Sequence, residues 1–97
     1  MKARTIVAWN VRRIRVKRGI SQEKLAYEAG IDRSHMGSVE RQSENPTIDL
    51  LGRIAEALGV HLSELFLRPP KGARRPKTLP KGRKPGRRSR GKGVLRD

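Results

Sequence analysis

The chain contains no cysteine among its 97 residues, which excludes a disulfide framework, a thiolate metal site and a cysteine nucleophile. It also lacks any apolar run approaching the roughly 18 residues needed to cross a bilayer. Near the start, Lys2, Arg4, Asn10, Arg12 and Arg13 interrupt what would have to be an apolar stretch of about 7–15 residues in a secretion signal. The expectation is a cytoplasmic, nucleoid-associated protein without a membrane partner. Catalytic patterns are missing too. The two histidines, His35 and His61, stand apart, with no His-x-x-x-His pair, no glycine-rich phosphate loop and no paired acids on an apolar helix face. No catalytic residue, metal ligand or cofactor is expected, and the chain does not read as an enzyme. Acidic residues are scarce, 9 against 24 Lys and Arg, for a net charge of +15. A balance that basic favours a polyanionic partner such as nucleic acid.

The excess charge is unevenly placed. Residues 1–67 carry 11 basic and 8 acidic side chains, whereas residues 68–97 carry 13 basic ones and only Asp97. Five of the six prolines and five of the ten glycines also lie in that last segment, which is nearly devoid of apolar residues. Such a segment buries too little surface to offset its ordering entropy, so residues 68–97 are expected to be a disordered basic tail. Residues 1–67 must then hold the whole fold.

Within 1–67 the apolar spacing is helical. Val7, Val11 and Ile14 form one stripe over Thr5–Lys17, closed by Gly19. Ser21 is placed to cap a second helix carrying Leu25, Ala26 and Ala29, which Gly30 ends. Asp32 caps a third that runs through Arg41 and buries Met36 and Val39. After Asn45-Pro46, Thr47 caps a fourth, with Ile48, Leu51, Ile54, Ala55 and Leu58 inward and Gly59 as its stop. A short turn from Leu62 to Leu67 completes the domain. No alternating strand pattern competes.

Two short helices joined by a glycine-headed turn within a small bundle have the layout of a helix-turn-helix. The stretch Gly19-Ile-Ser-Gln-Glu-Lys-Leu-Ala-Tyr-Glu-Ala-Gly-Ile-Asp-Arg-Ser-His-Met-Gly-Ser-Val-Glu-Arg41, with Asn45-Pro46-Thr47 and Ile54-Ala-Glu-Ala-Leu-Gly-Val60, resembles the lambda-repressor and Cro-like transcriptional regulators, the xenobiotic-response-element (XRE) family. The resemblance covers about residues 5–67. It implies an all-α, compact five-helix DNA-binding domain whose third helix enters the major groove of double-stranded DNA. On that basis Arg33, Ser34, His35 and Ser38 are the expected base contacts, and Arg33 suits a bidentate contact to guanine. Gln22, Arg41, Ser43 and Asn45 are the expected contacts to the DNA backbone, and Gln22 is also expected to brace the third helix. Glu40 would repel phosphates if bare, and the family pattern pairs it with Arg15 as a structural salt bridge.

Three positions depart from the family pattern. Gln42 stands where glycine is usual, so the left-handed cap there is expected to be strained or replaced. Gly52 is expected to mark a thin or flexible point in the fourth helix. Trp9 and Val16 lie opposite the main stripe and are expected to close a small cluster near Phe66, the alternative being an exposed patch for a partner. In the tail, Lys81-Gly82-Arg83-Lys84-Pro85 resembles an AT-hook loosely, against the plainer reading of a solvated polycation.

The reading that follows is a sequence-specific transcriptional regulator, a repressor, that binds a palindromic operator as a homodimer, with Leu62, Leu65 and Phe66 near the interface. Two alternatives remain open at this level. One is an antitoxin that autoregulates its operon and wraps a toxin partner with its C-terminal extension; the other is a nonspecific nucleoid or RNA-binding protein.

Overall fold

The computed structural model describes residues 2–72. They form four α-helices, α1 (Ala3–Lys17), α2 (Gln22–Ala29), α3 (Arg33–Glu40) and α4 (Ile48–Leu58), followed by a 3₁₀ helix, Leu62–Phe66. No strand occurs among the described residues. The expected five-helix domain is therefore present, its fifth helix being a single 3₁₀ segment.

The helices start where a side chain can satisfy an orphan amide. Ser21 Oγ accepts from the Lys24 N–H at 3.0 Å, Asp32 Oδ1 from the His35 N–H at 2.8 Å, and Thr47 Oγ1 from the Leu50 N–H at 3.0 Å. Lys2 gives α1 no such cap, and that helix begins at Ala3 rather than at Thr5. The C-termini share one paired pattern. After α2, the Gly30 N–H donates to Tyr27 O and the Ile31 N–H to Ala26 O, with Gly30 at φ +77° in the left-handed cap that glycine adopts most readily. At the end of α3, Gln42 and Ser43 donate in the same way to Val39 O and Ser38 O. Here Gln42 itself takes φ +67°, so the left-handed cap is kept and a glutamine occupies it.

One apolar core joins all five helices. It contains Val7, Val11 and Ile14 of α1, Leu25, Ala26 and Ala29 of α2, Met36 and Val39 of α3, the inner face of α4, and Leu65. α2 packs on α3 and α4, while α1 lies across α3 and the 3₁₀ helix. Leu65 is fully buried in this core, which corrects its expected place at a dimer interface: its surface is already spent within the subunit. Ile48, expected inward, is exposed at the first turn of α4, and Leu50 is buried instead. α4 is continuous through Gly52, where an added Cβ would meet nothing within 4 Å, so the site is open rather than a break. Trp9 and Val16 are half-buried and Phe66 remains 48 % exposed; the Arg13 guanidinium lies over the Trp9 ring, 5.5 Å from its centroid. Asn10 is buried where a polar group needs partners. Its Nδ2 donates to Leu65 O at 3.1 Å and Leu67 O at 2.8 Å, fastening the end of the domain to α1. Pro69 is buried as well, two residues beyond the expected end of the domain at Leu67. Residues 73–97, which hold most of the basic segment expected to be disordered and its AT-hook-like stretch, lie outside the described residues.

Candidate nucleic-acid interface

α3 divides cleanly by face. Met36, Val39 and Glu40 point inward and are buried, whereas Arg33 and Ser34 are exposed and His35 and Ser38 partly so. The residues expected to read bases thus share the first turns of one short helix, whose Asp32 cap fixes where those turns begin. Three residues connect α2 to α3, Gly30 to Asp32, the short turn of a helix-turn-helix.

What fixes the angle of α3 is Glu40. Its carboxylate is completely enclosed and receives Arg15 Nε at 2.6 Å, Arg15 Nη2 at 3.0 Å, Gln22 Nε2 at 3.1 Å and Arg12 Nε at 3.3 Å. Two charged donors come from α1 and one amide from α2, so a single side chain binds α3 to both neighbours. Burial alone would raise the Glu40 pKa. The hydrogen bonds and charge of Arg15, with Gln22 and Arg12, outweigh that and hold it below the ordinary carboxyl value of 4.5. Arg15 Nη1 also donates to Ile20 O at 2.9 Å, carrying the network into the turn before α2. The family pattern pointed to Arg15 alone; Arg12 gave no distinct signal among its neighbouring arginines. Asn10 did give one, as a polar residue inside the buried stripe of α1.

Gln22 sits at the first position of α2 and is half-buried. One of its two amide hydrogens is directed to Glu40. Arg41 folds back over α3, its Nη2 3.3 Å from Ser38 Oγ. The floor beneath it is Gly37, where a Cβ would come within 2.8 Å of Arg41 Nη1. The missing side chain at Gly37 therefore makes room for this arginine, beside Gln22. Ser43 and Asn45 are exposed in the loop after α3, with Ser43 Oγ donating to Ser38 O at 3.3 Å. His35 is drawn toward the same loop, its Nε2 3.8 Å from Glu44 Oε1. Sequence spacing gives no hint of that contact, because Glu44 lies past the end of the helix.

Fold and site together define an all-α helix-turn-helix domain with an outward-facing third helix. The sequence model of the helix-turn-helix family matches residues 11–65, and the chain belongs to that family. It is 41 % identical over 66 residues to a hypothetical transcription factor of Neisseria meningitidis serogroup B, a match covering 68 % of this chain and 62 % of that one. To the control protein C.SmaI of Serratia marcescens it is 40 % identical over 68 residues, 70 % of this chain and 81 % of the relative. Among solved structures, the restriction-modification controller protein C.AhdI of Aeromonas hydrophila superposes with a TM-score of 0.63 at 36 % identity, covering 65 % of this chain and 96 % of the other.

Proposed function

We propose that this protein is a sequence-specific DNA-binding transcriptional regulator, a repressor that reads a palindromic operator as a homodimer. The observation that carries the reading is α3 itself, a helix fastened on its inner side through Glu40 and free of internal duties at Arg33 and Ser34 on its outer side. Arg33, Ser34, His35 and Ser38 read base edges in the major groove. Gln22, Arg41, Ser43 and Asn45 hold the phosphodiester backbone on either side and set the register. The names of the similar proteins, a hypothetical transcription factor, a control protein and a restriction-modification controller protein, support the regulatory role. Phe66 and Leu67, each 48 % exposed, give the end of the domain an apolar surface for a second copy, and a two-fold dimer would set the two α3 helices about 34 Å apart, one turn of DNA. Repression needs only occupancy of a promoter, which such a dimer supplies.

Selection of bound duplexes from a random pool by the full chain should return an inverted-repeat consensus. Against that consensus, Arg33→Ala should lose roughly 1–3 kcal/mol of affinity with little change on unrelated DNA. An equal loss on both would make Arg33 a phosphate contact, and a pool that returns no consensus would remove the sequence-specific reading.

A further inference from the structure

We propose that Arg4, in the first turn of α1, is a further phosphate-binding residue of the DNA interface, positioned there by Thr5 and Gln42. The proposal rests on the reading of Arg41, Ser43 and Asn45 as backbone contacts. Gln42 lies between the first two of these. Its side-chain Oε1 accepts from the Thr5 hydroxyl at 2.8 Å, and its main-chain oxygen accepts from Arg4 Nη1 at 3.4 Å. The start of α1 is thereby fastened to the loop that follows the recognition helix. A glycine at position 42 would adopt the left-handed cap more easily, yet it would offer Thr5 nothing to bond. Glutamine supplies that acceptor and so couples the turn to α1.

Arg4 is exposed. One N–H of its guanidinium goes to the Gln42 carbonyl, and the fork has five donors, arranged as phosphate recognition requires. Its charge does nothing for the helix that carries it. The first turn of α1 has no acidic residue, and a cation there faces the positive end of the helix dipole, an arrangement that costs stability rather than adding to it. An anion brought to the Gln42 loop offsets that cost, because it is attracted both by Arg4 and by the positive end of the helix dipole. The phosphodiester backbone of the operator supplies such an anion beside Arg41 and Ser43, so the same strand can pass from the α3 loop to the start of α1.

The test is the salt dependence of binding by the full chain, measured by fluorescence anisotropy on two duplexes, one selected from a random pool and one of mixed sequence. Losing one phosphate contact lowers the slope of log affinity against log salt by about 0.9. Arg4→Ala should show that loss on both duplexes alike, and Arg4→Lys should restore most of it. Arg53→Ala, which removes an exposed cation from α4, controls for net charge and should leave the slope nearly unchanged. Thr5→Val keeps every charge but frees Gln42, and should weaken binding less than Arg4→Ala does. Circular dichroism of each variant confirms that folded protein is being compared. An unchanged slope for Arg4→Ala, or an equal fall for Arg53→Ala, overturns the proposal. Because the mixed-sequence duplex reads phosphate contacts alone, the result decides on Arg4 even if the wild type prefers no operator.

Discussion

Glu40 illustrates what a single residue does here. A carboxylate on a helix proposed to face a polyanion is tolerable only if it is turned inward and compensated, and four donor contacts from Arg15, Arg12 and Gln22 compensate it. Removing the carboxylate leaves Arg15, itself buried, without its counter-charge. Breaking a buried pair in this way costs about 3–5 kcal/mol, a large share of the roughly 5–15 kcal/mol that holds a small domain together. Glu40→Gln should therefore lower the urea midpoint sharply. The pH dependence has a definite sign. Since the folded pKa lies below the ordinary value of 4.5, the contribution of Glu40 is fully present above that value and fades as the pH falls through the lower, folded one. Urea titrations from neutral to acidic pH should show a gap between wild type and Glu40→Gln that narrows on acidification; a constant gap would mean the carboxylate charge is not what stabilises. The sequence announced that Glu40 needed a cation, and the resemblance named Arg15. Gln22 is the instructive case: the resemblance implied that it braces the third helix as well as meeting a phosphate, and the structure shows the brace to run through Glu40.

Among the elements, α3 and α4 were legible for different reasons. The start of α3 is written in Asp32, and its apolar residues declare the inner face, but its outer face is polar throughout and carries no period that singles out a reader. Gly37 and Arg41 stand four apart, so the helical period already puts them on one face; that the guanidinium bends back to lie against Gly37 is seen only in the structure. α4 has the most regular apolar pattern and the one interior glycine without a task. Gly52 is half-buried, at ordinary helical φ, with open space where a Cβ would stand. Alanine there should gain about 1 kcal/mol from helix propensity. Thermal denaturation of Gly52→Ala should show a higher midpoint with unchanged DNA affinity, and a lower midpoint would mean that the glycine has a conformational role the helix does not display. The 3₁₀ helix was the least legible element. The apolar residues of this helix and its C-cap read alike in sequence, yet Leu65 is buried while Phe66 and Leu67 are exposed, a distinction made by how α1 and α4 approach it.

For the molecule as a whole, charge and specificity separate. Most of the net +15 belongs to the basic segment, while the surface proposed to choose a site carries little of it. A chain ending after Gly72, which keeps the buried Pro69, should melt at the same temperature as the full chain. It should bind DNA with a shallower salt dependence, by about five units of slope if six of the removed cations meet phosphates, while keeping its ratio of operator to nonspecific affinity. A fall in melting temperature would place part of that segment in the fold. By itself the sequence determined the helices and their order, because caps, stops and apolar period act over a few residues and are written in them. It determined the family for the same reason, since an ordered string of such signals is hard to meet by chance. Only the tertiary structure decided which polar groups meet. Glu40 gathers donors from α1 and α2, Asn10 fastens Leu65 and Leu67, and Gln42 links the loop after α3 to Thr5 and Arg4. Each of these partners lies many residues away along the chain, and hydrogen bonds depend on distances of a few ångströms and on direction, quantities that exist only once the helices have packed.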